Sequence, residues 1–151
     1  MMNHDVYGLS KEVDERTAEM FCRRDGMSIA ALRFHWIATR QEQIDQSHRI
    51  REKLYRSGEA RAISGYVDIR DAARACRLAI EMGRERPFGF APLNIMAADT
   101  LADQPTEDLL RTYVPDLEIR GPIYGTQSGF DIGAAKRVIG WEPQYSWRNE
   151  E

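Results

Sequence analysis

The sequence has no glycine-rich turn. Its 11 glycines never fall into G-x-G-x-x-G or G-x-x-G-x-x-G, the spacing that lets a backbone approach a dinucleotide pyrophosphate at a helix N-terminus. A self-contained dinucleotide site is therefore excluded. Cysteine is scarce: Cys22 and Cys76 stand far apart with no zinc or redox spacing. They read as two half-buried thiols in a reducing compartment. Long apolar runs are missing, so nothing is expected to cross a bilayer. The opening MMNHDVYG has no signal-peptide core. These features together point to the cytoplasm and away from membranes. A basic stripe is also missing. Lysine and arginine number 21 against 24 aspartate and glutamate, with the signs interspersed and a net charge of −3, so nucleic acid is not an expected partner. His4, His35 and His48 are scattered, and Asp68 and Asp71 have no third ligand at helical spacing. No metal site is expected.

What is there suffices for one domain, 1–151. Hydrophobic residues make up 42 %, and mean hydropathy is −0.55. Helix and strand signals alternate along the chain. A helix is expected over 6–24, stopped by Gly26. Leu9, Val13 and Met20 form one stripe of it, with Tyr7, Lys11, Ala18 and Cys22 opposite. The apolar run 28–38 reads as one buried strand. A polar helix follows over 41–58, then an extended piece near 62–69. The next helix is capped by Asp68 and closed by Gly83. A strand at 92–98, a helix between Pro105 and Pro115, a strand at 117–121 and a small helix over 131–139 complete the chain. Arg74, Arg77 and Arg84 read as a solvated face, and Trp147-Arg148 as a surface tail. The pattern is α/β, with strands too few for a complete doubly wound sheet.

The chemistry-bearing feature lies at the start of the first helix, in VYGLSKEV. Residues at i and i+4 share a helix face, so Lys11 can hold its ammonium near the Tyr7 phenol. A free tyrosine titrates near about 10. A neighbouring positive charge favours phenolate, which gives a general acid/base for a substrate hydroxyl. The spacing alone also fits an ordinary helix residue beside a solvated lysine.

Four ordered segments carry a resemblance. They are YGLSK at the head of a helix that leads to a strand with LRF, GYVDIRDAARACRLAIE, LNIMAADTLADQPTEDLL, and FDIGAAKRVIGWEP. In this order they resemble the second half of the extended short-chain dehydrogenase/reductase family, the NAD(P)-dependent sugar epimerases and dehydratases. The resemblance covers nearly the whole chain. It implies a partial Rossmann-like sheet, the C-terminal part of a doubly wound fold, plus a small substrate-side α/β subdomain. The N-terminal dinucleotide-binding half would be absent.

By the same resemblance Tyr7 matches the general acid/base, and Lys11 matches its partner, which also binds the nicotinamide ribose. Ser10 does not replace the family's upstream serine or threonine. In the run Arg33, Phe34, His35, Trp36, the tryptophan stands where the family commonly has asparagine. His35 and Trp36 are expected near the cofactor and substrate cleft, although an aromatic pair at a strand end is as often core. Arg61 matches an arginine for substrate phosphate, a role its bidentate fork suits. Asp68 and Asp71 look like capping and packing residues.

The implied cofactor is NAD or NADP, not held by this chain alone. The implied partners are a sugar-like substrate, a separate N-terminal half and a second copy of the chain. Two functions stay open: the Tyr-Lys portion of an oxidoreductase, and a non-catalytic truncated remnant or interaction module. An unrelated small α/β binding protein is a third reading.

Overall fold

The computed structural model describes residues 5–52 and 65–149. The first helix, α1 (Val6–Asp25), starts where Asp5 accepts a hydrogen bond from the Gly8 N–H at 2.6 Å. It stops at Gly26, whose φ of 68° is the left-handed turn that glycine adopts without a Cβ clash. The run 28–38, expected as one strand, is two: β1 (Ile29–Phe34) and β2 (Trp36–Ala38). At His35 the chain leaves one pairing partner for another, and a continuous apolar run cannot reveal such a change.

The helix α2 (Arg40–Glu52) opens with a capping box. Glu42 accepts from the Thr39 N–H at 2.8 Å, and the Glu42 N–H donates to Thr39 Oγ1 at 3.4 Å. Its expected end at Gly58 lies outside the described residues, as do His4 and Arg61. The short strand β3 (Tyr66–Asp68) runs into α3 (Ile69–Glu85). Asp68 caps that helix by accepting from the Arg70 N–H at 2.9 Å. Gly83 does not close α3. It lies within the last turn, and the helix ends at Arg86 in extended backbone.

The strand β4 (Phe90–Ile95) begins earlier and ends sooner than 92–98. The helix α4 (Thr106–Tyr113) sits between the two prolines as expected. The stretch 117–121 is not a strand. Among the described residues no other strand pairs with it, and the Leu117 N–H donates to the Val114 carbonyl instead. The helix α5 (Gly133–Ile139) is preceded by Asp131, which accepts from the Gly133 N–H at 2.7 Å, and ends at the left-handed Gly140.

The strands form two parallel pairs, β1 with β4 and β2 with β3. Ile29 lies opposite Phe90 and Phe34 opposite Ile95. Side chains alternate across a strand. Ala30, Leu32 and Phe34 therefore join Ala91, Leu93 and Ile95 on one face. There they meet Ala72 and Ala75 of α3, Ala135 and Ile139 of α5, and the fully buried Trp141. The helix α1 covers the opposite face, to which Arg33 points. The result is a three-layer α/β arrangement. A second cluster gathers Tyr66, Ala97, Leu101 and Trp147, with Ile44 and Ile50 of α2 beside it.

The C-terminal stretch is not a surface tail. Trp147 is buried and its indole N–H donates to the Thr100 carbonyl at 3.1 Å. Arg148 pairs with Asp99 at 3.1 Å and donates to the Thr100 and Ala102 carbonyls. A tryptophan and an arginine shortly after Pro143 look solvated in sequence, and only the carbonyls of a distant loop explain them. Nor is Arg74 solvated. It is largely buried, donating to Asp71 and to the Glu142 carbonyl, while Arg77 and Arg84 remain exposed. Cys22 is half-buried, but Cys76 is exposed on the outer face of α3.

Candidate functional site

The reversal at Gly26 makes α1 run back along β1, so the start of the helix meets the carboxyl end of the strand. In open parallel α/β sheets that end is where ligands bind. A groove of about 580 Å³ lies there, lined by Tyr7, Lys11, Glu15, Ala31, Arg33 and Phe34 among others. Tyr7 is 73 % exposed. The Lys11 ammonium lies 5.5 Å from the centre of its ring and 3.4 Å from Asp14 Oδ2. The Ser10 hydroxyl donates to the Tyr7 carbonyl at 2.8 Å, bonding back to its own helix turn. The groove thus holds a phenol, an ammonium with three donors, the charged groups of Asp14, Glu15 and Arg33, and an apolar wall that includes Ala31, Leu32 and Phe34.

The helix carrying this pair buries none of its residues. A bidentate ion pair ties it to the sheet: Arg33 donates to the two carboxylate oxygens of Glu15 at 2.7 Å and 2.6 Å. The Arg33 hydrogen bonds hold the Glu15 carboxyl below the usual carboxylate range, and the same bonds raise the Arg33 guanidinium further. Glu15 was not among the residues singled out from sequence. Its signal is spacing, since it stands one turn after Lys11 on the same face, but nothing in a single sequence names its strand partner.

His35 and Trp36 follow directly on Phe34, at the carboxyl end of β1, and neither lines the groove. His35 Nδ1 accepts from the Trp36 N–H at 2.8 Å. The His35 ring lies 6.1 Å from that of Phe130, tilted by 60°. Trp36 is partly open to solvent. Phe130 in turn borders a larger groove of about 810 Å³ formed by Leu110, Val114 and the loop 117–131. The structure therefore brings Tyr7 and Lys11 together, sets His35 against Phe130 at the edge of a second groove, and leaves Trp36 out of the lining of both grooves. Arg61 lies outside the described residues.

Asp68 and Asp71 are capping and packing residues. Burial pushes the Asp68 carboxyl up, but hydrogen bonds from Arg70 and Gln43 outweigh it and the group sits below its ordinary range. Buried Asp71 accepts from the Gln144 and Tyr145 N–H groups at 2.8 Å and 3.0 Å. Among the described residues no three His, Cys, Asp or Glu side chains gather in a metal-binding group. No helix among them is long and apolar enough to cross a membrane.

No family model matches the chain, and no curated protein matches it. Solved structures do. A UDP-galactose 4-epimerase superposes with a TM-score of 0.53 at 22 % identity, over 94 % of this chain and 49 % of its own. MoeE5, solved in complex with UDP-glucuronic acid and NAD, superposes with a TM-score of 0.55 at 21 % identity, over 98 % of this chain and 55 % of its own. The chain spans about half the length of each. At this identity the likeness concerns the fold, and the chain has the Rossmann-like α/β fold of these two structures.

Proposed function

We propose that the chain is the Tyr-Lys portion of an NAD(P)-dependent oxidoreductase acting on a sugar-like substrate, an epimerase, dehydratase or dehydrogenase. The observation that carries this reading is the Tyr7–Lys11 pair facing a groove at the carboxyl end of a parallel strand. The half-length likeness to a UDP-galactose 4-epimerase and to a UDP-glucuronic acid- and NAD-bound protein supports the substrate class. Tyr7 exchanges a proton with a substrate hydroxyl. Lys11 favours the phenolate by its charge and offers donors to ribose hydroxyls. Arg61 takes a substrate phosphate.

The described residues fit one end of a nicotinamide cofactor. The groove beside Lys11 suits a ribose, but the sequence supplies no glycine-rich turn for the pyrophosphate. When bound, the cofactor supplies hydride transfer. The pyrophosphate cradle then belongs to a dinucleotide-binding unit outside this sequence, carried by a longer natural chain or by a separate partner. A second reading, an interaction module without cofactor, draws on the fact that α1 buries none of its residues.

Intact-mass measurement of the natural protein, with its neighbouring reading frames, identifies the dinucleotide-binding unit. Turnover of the complete assembly is then followed on UDP-sugars. Replacing Tyr7 with Phe deletes one hydroxyl and is expected to lower turnover by about 10²–10⁴-fold, with circular dichroism unchanged. Near-parent turnover in that variant overturns the oxidoreductase reading. Finding no such unit favours the interaction module.

A further inference from the structure

We propose that Arg33 is a positioning residue: by occupying the Glu15 carboxylate it keeps the Lys11 ammonium free to stand over Tyr7. The inference deepens the Tyr-Lys reading and rests on it. Lys11 has three neighbours on its own helix that can hold its ammonium. Tyr7 lies one turn before it, and Asp14 and Glu15 lie one turn after. The ammonium keeps an exposed contact with Asp14 at 3.4 Å while remaining 5.5 Å from the Tyr7 ring centre. A second carboxylate at close range would draw it away from the phenol.

That second carboxylate is taken. Arg33 reaches it from β1 with two donors, Nε at 2.7 Å and Nη2 at 2.6 Å, and engages both oxygens. A planar fork matches a carboxylate in a way a single ammonium does not. A lysine placed before its acid at i and i+4 is also in the weaker order for a helical ion pair. Arg33 therefore holds the carboxylate against Lys11 by its fork geometry and by the weaker order of the Lys11–Glu15 pair. All four side chains line the same groove, so any change in the pairing is felt at the phenol. The Glu15 carboxylate is also the less exposed of the pair, with a quarter of its side chain accessible against half for Arg33. A partner for it is accordingly worth more than a solvated ion pair.

The chain itself provides the test, with a readout independent of turnover. In the parent, a nuclear Overhauser cross-peak is expected between the Lys11 side-chain methylene next to the ammonium and the Tyr7 ring protons. Arg33→Met frees Glu15, and loss of that cross-peak is expected. Glu15→Gln removes the competing charge, and the cross-peak is expected to persist. The double variant Arg33→Met/Glu15→Gln should restore it. A merely structural tie predicts otherwise: either single variant would loosen α1, and the double variant would rescue nothing.

Retention of the cross-peak in Arg33→Met overturns the proposal, as does its loss in Glu15→Gln or failure of the double variant to restore it. If Arg33→Met does not fold, Arg33→Lys is read in its place. It keeps the charge without the fork, so a weakened cross-peak is expected and an unchanged one overturns the proposal. Failure of the Tyr7 turnover experiment would sink the chemistry and leave these spectra as they are, so the two readings fail separately.

Discussion

Asp71 shows how much one buried carboxylate holds. It accepts from Arg74 at 2.7 Å and from the backbone N–H groups of Gln144 and Tyr145, and its own carbonyl accepts from the Trp141 indole at 3.0 Å. Asp71→Ala takes the carboxylate from a largely buried guanidinium, which keeps the Glu142 carbonyl as an acceptor, and takes from two backbone N–H groups the side chain they donate to. We expect a loss of about 3–5 kcal/mol, the usual cost of breaking one side of a buried pair, read as a drop in the urea midpoint. A loss below about 1 kcal/mol, the size of an exposed pair, would mean that water replaces the contacts. Tyr66 makes a second case. Burial pushes its phenol well above the ordinary tyrosine value, and the Asp99 carboxylate 2.7 Å away adds to the effect. The folded group therefore holds its proton where the unfolded one ionises, near about pH 10. Its contribution is fully present below that pH and is lost as pH rises toward the folded value. The unfolding midpoint should fall above about pH 10 and fall less in Tyr66→Phe. Identical alkaline profiles would refute this.

Among the elements, α3 depends on Asp68. The carboxylate caps the helix through the Arg70 N–H, takes the Arg70 side chain at 2.9 Å and receives Gln43 from α2 at 3.2 Å. Removing it with Asp68→Ala is expected to cost about 1–2 kcal/mol, as for other lost N-caps, measurable by chemical denaturation. Acid acts on the same bonds. Asp68, Glu15 and Asp103 all lie below their ordinary values in the folded chain: Asp68 because its hydrogen bonds outweigh burial, Glu15 through Arg33, and Asp103 through Arg51. A lowered folded value gives stability that is fully present above the unfolded value of about 4 and is lost as pH falls through the folded one. Stability should therefore decline below about pH 4, and the decline should be shallower in Asp68→Ala. An acid limb equally steep in both proteins would contradict the assignment. Two of these elements could be read from their ends. Asp68 before an amphipathic run marked the start of α3, and Gly26 marked the stop of α1. The capping box at Thr39 and Glu42 was equally readable as T-x-x-E. The split of 28–38 was not, because both halves are apolar and only their partners differ.

For the molecule as a whole, the open features are the sheet edges and α1. Among the described residues the sheet of β1 and β4 has two strands, and Leu9 and Val13 are each more than half exposed on α1. Unpaired edges and exposed apolar stripes favour association with another chain. We expect a dimer or larger species in analytical ultracentrifugation. A clean monomer at high concentration would contradict this. The missing glycine-rich turn leads to a second expectation: this chain alone should bind neither NAD nor NADP in calorimetric titration, and micromolar binding would show that some other part of it cradles a pyrophosphate.

Local chemistry was legible without coordinates. The α/β alternation, the left-handed stop at Gly26, the Asp68 cap and the shared face of Tyr7 and Lys11 all follow from spacings of a few residues, over which backbone geometry is stiff. The tertiary structure alone decided the rest. It divided 28–38 between two sheets, left 117–121 without a strand partner among the described residues, buried Trp147 against the Thr100 carbonyl and joined Glu15 to Arg33. Each of these joins residues distant in sequence. Periodicity shows that a side chain will be buried or paired, but the partner is set by which surfaces the folded chain brings together.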